Sequence, residues 1–203
     1  VGQAFVQALG RSPGLASVSP GALRNAVRNQ PQEVRDAAEA LLKKASVSDT
    51  EQKKHLIELQ SVLNGGDADK GRQLFFGGRM ACSACHTADG RGGRVGPELS
   101  KIGGIRAPAD LLESVVYPSA TIVRGFETYV VQTKDGRAVT GLLARETADA
   151  VYLKTADRTE VRVPRDAIDS IAPGRQSIMP AGLENKMSRD ELRDLIAFLA
   201  SLR

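Results

Sequence analysis

Residues 80–87 read "MACSACHT" and hold both cysteines of the chain, Cys82 and Cys85, together with His86, one of only two histidines. Two thiols three positions apart, followed at once by an imidazole, form the C-x-x-C-H string that attaches c-type haem. The spacing suits the chemistry. Each thiol can add to one of two neighbouring porphyrin vinyl groups, and His86 is then delivered to the iron as the proximal ligand. Other chemistries compete for the same residues. Cys82, Cys85 and His86 with His55 make a nominal Cys₂His₂ zinc set, but adjacent Cys85 and His86 would strain to reach one tetrahedral ion. A dithiol redox site calls for a strand-to-helix setting in a βαβ fold, which the sequence lacks.

The elements that must position this motif come from a chain of 203 residues, long enough for one large domain or two to three small ones. Aromatic residues are only 4% of the chain and tryptophan is absent, so cores are built from Leu, Val, Ile and Ala, or around a group the sequence does not encode. A net charge of +4 and a pI near 9.2 fall short of the concentrated positive stripes of a nucleic-acid binder and fit an acidic protein partner better. No apolar run reaches the roughly 18 residues of a membrane span, and no signal-peptide pattern is present. A first residue of Val rather than Met leads to the expectation of a processed or excised piece.

Residues 1–65 read as an N-terminal helical, repeat-like segment, with helices near 1–9, 20–28, 31–44 and 48–63 separated by Pro, Gly and Ser. Ser48 with Glu51 forms a capping box ahead of an apolar stripe of Leu56, Ile57, Leu59 and Val62. After Gly65 and Gly66 a new helix starts at Asp67 or Asp69, and a glycine-punctuated stretch follows with one clear helix at 108–116. Residues 126–171 read as five short strands, with a hairpin turn at Asp135-Gly136. The chain then returns to helix: Ser188 and Glu191 make a second capping box before Leu192, Leu195, Ile196, Leu199 and Leu202.

"GDADKGRQLFFGGRMACSACH" resembles the opening of a class I cytochrome c, in which the helix bearing Gly71 and Phe75 packs across the C-terminal helix. "DLIAFLASL", with Phe198, is similar to that partner helix. The loop "GRGGRVGPELSKIGG" resembles the one whose proline, here Pro97, lies against the proximal histidine and accepts its other ring N–H. "VGPELSKIGG", "LLESVVYPSATIVRGFETYVVQTKDGRAVTGLL" and "SIMPAGLENKMSRDELRDLIAFLASL" together resemble the haem-binding domain of planctomycete and verrucomicrobial type, in which a small β insert interrupts the cytochrome fold. The resemblance implies a mainly α fold: a cytochrome c domain at 66–120 and 173–203, and a β insert at 121–172 resembling a five-stranded SH3-like or Sm-like barrel. It also implies one covalent haem c with its iron.

Candidates for the second axial ligand are Met80, Met179, Met187 and His55. Met80 is tethered to the proximal side by Cys82, Met187 abuts the capping Ser188, and His55 reads as a solvated helix histidine. The resemblance places the ligand at Met179, in "SIMPAGL", opposite His86. Met179 lies 93 residues beyond His86, and 41 once the 52 residues of the insert are set aside, a spacing like that of a small class I cytochrome.

Basic and acidic residues balance along the β insert, which gives nucleic-acid binding no support. The reading is therefore an electron-transfer module rather than an enzyme. It is extracytoplasmic, has no membrane span, and serves redox partner proteins, a dehydrogenase donor and an electron acceptor, as part of a larger dehydrogenase-linked protein. A haem enzyme or ligand sensor with a displaceable sixth ligand is the first rival. A partner-binding module with structural haem is the second.

Overall fold

The protein is described by a computed structural model over residues 2–11, 20–45 and 49–203. Its chain divides into two compact units, residues 1–49 with 127–178, and residues 50–126 with 179–203.

In the first unit, helices α1 (Gly2–Gly10), α2 (Pro20–Ala26) and α3 (Gln32–Ala45) bury Val6, Leu23, Val27, Val34 and Ala38 against one another. Arg24 grips Glu39 with two parallel hydrogen bonds of 2.6 and 2.9 Å, which links α2 to α3. These helices fall close to the expected segments. Ser48, and with it the first capping box, lies outside the described residues.

Five strands follow in the same unit: β1 (Thr128–Thr133), β2 (Ala138–Glu146), β3 (Ala150–Lys154), β4 (Glu160–Pro164) and β5 (Ile168–Pro173). They form one antiparallel sheet in the order β4-β3-β2-β1-β5, with Val131, Val151, Leu153 and Val163 as its core. Each hairpin turn repeats a Thr-x-Asp device. Thr133 bonds Asp135, Thr147 bonds Asp149 at 2.7 Å, and Thr155 bonds Asp157. Each Thr hydroxyl thus holds a carboxylate over its turn, where Asp135 and Asp157 also accept from the backbone N–H groups of Arg137 and Thr159 at 3.4 and 3.3 Å.

The expected SH3-like or Sm-like barrel is corrected here: the sheet is open, with β4 and β5 as unpaired outer strands. Only a 3₁₀ turn, Arg165–Ala167, joins them. Four residue steps span about 14 Å at most, so the sheet must coil to bring the end of β4 near the start of β5. Coiling without ladder bonds between the outer strands stops short of closure. Beyond β5 the chain is held back on β1. Gly174 N–H donates to the Thr128 carbonyl at 2.7 Å, and Thr128 Oγ1 donates to the Gln176 carbonyl at 2.7 Å.

The second unit contains α4 (Asp49–Glu58), α5 (Ala68–Phe76), the single turn α6 (Cys82–Cys85), α7 (Pro108–Val116) and α8 (Arg189–Ser201). A small hairpin that the sequence reading missed, β6 (Thr87–Ala88) with β7 (Arg91–Gly92), follows α6. The expected helix over 48–63 breaks after Glu58 into a 3₁₀ turn at Gln60–Leu63. Leu59 and Val62 join the core, but Ile57 is 62% exposed and drops out of the expected stripe.

Helix α5 starts where the sequence suggests. The Asp67 side chain accepts from the N–H groups of Asp69 and Lys70, and Asp67 N–H donates to Asp194 of α8 at 2.8 Å. Helices α5 and α8 touch backbone to backbone at Gly71, where a Cβ would sit 1.9 Å from the Asp194 carbonyl oxygen. Phe75 then packs on Phe198 with ring centroids 5.4 Å apart. The second capping box is present in full. Ser188 N–H donates to Glu191 at 2.8 Å, and Glu191 N–H donates to the Ser188 hydroxyl at 3.1 Å. All five apolar residues of the expected α8 stripe are buried.

Candidate cofactor site

Ala81 opens the motif in the left-handed region at φ 53°, and the chain turns once through Cys82–Cys85. His86 N–H closes the turn on the Cys82 carbonyl at 3.0 Å, and His86 itself is extended. One turn therefore carries both thiols, and the imidazole follows on the first residue beyond it. The cysteines are free and half-buried. Burial pushes the Cys82 thiol up to about 11, an effect reinforced by Cys85 and opposed by a backbone hydrogen bond.

The loop at 92–97 is stitched to this turn through backbone groups. Gly93 N–H donates to Ser83 at 2.8 Å, while Val95 and Gly96 N–H donate to the Cys85 carbonyl at 2.9 and 2.8 Å. Thr87 Oγ1 donates to the Gly93 carbonyl at 2.8 Å. This closeness requires glycine. A Cβ at Gly93 would lie 2.1 Å from the Ala84 carbonyl oxygen, and one at Gly96 would lie 2.4 Å from His86 Cε1. The bare face of Gly96 is thus the floor on which the imidazole rests. Sequence reading missed that role, although the glycine spacing in "GRGGRVGP" carried its signal.

His86 Nδ1 lies 2.9 Å from the Pro97 carbonyl oxygen. A carbonyl only accepts, so Nδ1 carries the proton and Nε2 keeps its lone pair. Burial favours the neutral ring and outweighs the opposing pull of the Pro97 bond. A neutral imidazole with one nitrogen committed and the other available is the form that binds a metal. Two reduced thiols on one turn, an oriented imidazole and a glycine floor form a cradle that fits covalent haem.

The remaining candidates are placed as follows. Met179 is half-buried in the loop after β5 and belongs to the same compact unit as His86. Met80 is buried, and Met187 packs against the core at the end of a 3₁₀ turn, Glu184–Lys186. His55 is not a solvated residue: its Nδ1 is 2.7 Å from the Tyr117 hydroxyl, which ties α4 to the end of α7. Among the described residues no cluster of three or more Cys, His, Asp or Glu could hold a metal ion, so the zinc alternative has no site. No helix among them is long and apolar enough to cross a membrane.

Residues 68–157 match the family model described as cytochrome c. The matched span begins at α5, contains Cys82, Cys85, His86 and Pro97, and ends in the turn between β3 and β4. A search of curated proteins finds no match to this chain. The family match implies a covalently bound haem c with its iron, and cytochrome c domains carry electrons.

Proposed function

We propose that the chain is a single-electron carrier whose haem c is attached through Cys82 and Cys85, with His86 and Met179 as axial ligands. The observation that carries the reading is the bond between His86 Nδ1 and the Pro97 carbonyl, which leaves Nε2 as a ready ligand beside two free thiols. When bound, the haem supplies the one-electron couple. The chain's own residues anchor it, orient the ring of His86 and exclude water from that face. A methionine thioether as sixth ligand raises the reduction potential and closes the iron to small ligands, as suits a carrier.

In this reading the cytochrome part spans 66–120 and 173–203, and the β segment at 121–172 interrupts it. The same reading takes the domain as one of planctomycete and verrucomicrobial haem-binding type and puts the chain outside the cytoplasm, where c-type haem is attached; the resemblance of its motifs supports this. It points to a larger dehydrogenase-linked protein that supplies the electrons. The partners are redox proteins. The direct test is acid-acetone extraction of purified protein followed by oxidised and reduced spectra. Colour that stays with the polypeptide and shows a reversible low-spin couple supports the proposal; colour that moves into the solvent overturns it. Rapid carbon monoxide binding by the wild-type protein would favour a ligand sensor instead.

A further inference from the structure

His86 and the carbonyl it bonds are linked by more than that bond. Thr87 follows His86 directly and opens β6, while β7 leads through Gly92 into the loop that carries Pro97. The two arms pair Thr87 with Gly92 and Ala88 with Arg91, across an Asp89-Gly90 turn whose φ values are 49° and 71°. Two successive positive φ angles are those of the tight turn that suits a two-residue hairpin. The β7 arm also lies against the histidine, since a Cβ on Gly92 would fall 2.1 Å from the His86 carbonyl oxygen. The pairing of these arms therefore sets where Pro97 stands relative to the imidazole.

A ladder of two residues a side is marginal in water and needs something to hold it. Two contacts moor it to α5. Asp89, in the turn, pairs with Arg72, and the Arg91 guanidinium sits over the Phe76 ring, 4.5 Å from its centroid. Arg72 lies 5.4 Å from the same ring and 5.8 Å from that of Phe198. The Arg72–Asp89 pair is 39% and 40% exposed, so solvent screens it. Phe76 packs against the core of its unit, which gives Arg91 a fixed seat.

We infer that Arg91 is a positioning residue for the haem's histidine: stacked on Phe76, it holds the β7 arm to α5 and so keeps the Pro97 carbonyl in bonding range of His86 Nδ1. The inference rests on the reading of His86 as an axial ligand. Arg91 acts through the chain between residues 91 and 97. Releasing the stack lets the arm open more often, and each opening interrupts the bond from Nδ1. An imidazole whose N–H is held by a carbonyl is the more basic ligand and favours ferric iron, so loosening it raises the midpoint potential. Removing a positive charge acts in the opposite direction, because it favours the more positive ferric state. The sign of the shift therefore separates positioning from charge.

The test uses the full-length holoprotein and reads the exchange rate of the His86 Nδ1–H proton, by NMR of the reduced form, together with the midpoint potential. Arg91→Gln keeps a long polar side chain and removes the cation. It is expected to speed proton exchange about two- to fivefold, the factor that one exposed cation–π contact makes to an opening equilibrium, and to raise the potential. Arg91→Lys, which keeps a cation for the ring, is expected to recover part of both readings. Arg94→Gln removes the same charge from an exposed position of the same loop and leaves exchange at the wild-type rate. Phe76→Leu takes the ring away instead and is expected to show the same two shifts, with little added by Arg91→Gln in the double variant. It also stands in for Arg91→Gln if that variant does not accumulate as holoprotein.

Wild-type exchange in Arg91→Gln, or in Phe76→Leu where that variant stands in, overturns the inference. So does an equal acceleration in Arg94→Gln, a fall in potential with exchange unchanged, or shifts that add in full in the double variant. His86→Ala separates the two proposals. If it destroys the low-spin spectrum while Arg91→Gln disturbs neither reading, positioning fails and ligation stands. If the low-spin spectrum survives His86→Ala, the ligand reading fails and this inference falls with it.

Discussion

His86 and Pro97 are joined by a 2.9 Å hydrogen bond from ring to backbone, and that bond alone decides which imidazole nitrogen is available. The acceptor is a main-chain oxygen, so no side-chain substitution at position 97 removes it directly. What can be altered is the floor under the ring.

Gly96→Ala places a methyl 2.4 Å from His86 Cε1. The ring must tilt or the loop must retreat, a strain of about 1–3 kcal/mol. We expect a lower yield of haem-loaded protein and a shifted potential, read by the ratio of haem absorbance to protein and by potentiometry. Gly78→Ala, where nothing lies within 4 Å, should leave both unchanged.

The crossing of α5 and α8 gives a stability prediction with an internal control. Gly71→Ala drives a methyl into the Asp194 carbonyl and should cost about 3 kcal/mol or more in thermal unfolding, since backbone must move to admit it. Gly21→Ala, in α2 with open space around it, should be neutral or stabilise by about 0.4–1 kcal/mol.

Replacing the two loop methionines distinguishes ligand from packing. Met179→Ala should abolish the sulfur-to-iron band, lower the potential and admit carbon monoxide. Met187→Ala, which removes a side chain packed against the α8 core, should preserve the spectrum and cost about 2 kcal/mol of stability. Absorption spectra and unfolding curves of the two variants check this, and exchanged phenotypes would make Met187 the ligand.

Cys82 offers a pH test on the haem-free chain. Its thiol is raised from 9.0 to about 11, chiefly by burial. The folded form therefore keeps its proton where an unfolded cysteine has lost it. The stability linked to that proton is intact below about pH 9 and drains away as pH rises through about 11. Alkylation at Cys82, followed by mass spectrometry, should be slow near neutrality and accelerate across the same window, while urea unfolding of the folded chain should disclose a uniformly faster reaction.

Local signals were the legible ones. The Cys82–His86 string, the capping pair Ser188 and Glu191 and the α8 stripe depend on spacings of a few residues; the structure forms the capping box and buries the stripe as read, and it sets both cysteines on a single turn. Features set by distant partners were not legible. His55 looks solvated in "EQKKHLIE" because its hydrogen-bond partner, Tyr117, is 62 residues away. Closure of the sheet failed as an expectation for a related reason: strand alternation and turn residues define hairpins, but whether the first and last strands meet depends on how far the sheet coils. Gly96 is an intermediate case. Its motif was visible, but only the fold reveals that the missing side chain makes room for a ring.

The open sheet has a consequence for how the protein behaves in crowded solution. An unpaired outer strand is a template onto which another chain can add, the first step towards fibres. Both outer strands here carry deterrents. β4 ends in Pro164 and projects Arg162 and Glu160, each engaged in an ion pair, while β5 carries Asp169 and ends in Pro173. Proline removes a backbone donor, and a charge must be stripped of water before a neighbour can dock. At five and six residues, the two strands are also too short to offer a long ladder. The sheet can therefore remain unclosed without recruiting copies of itself.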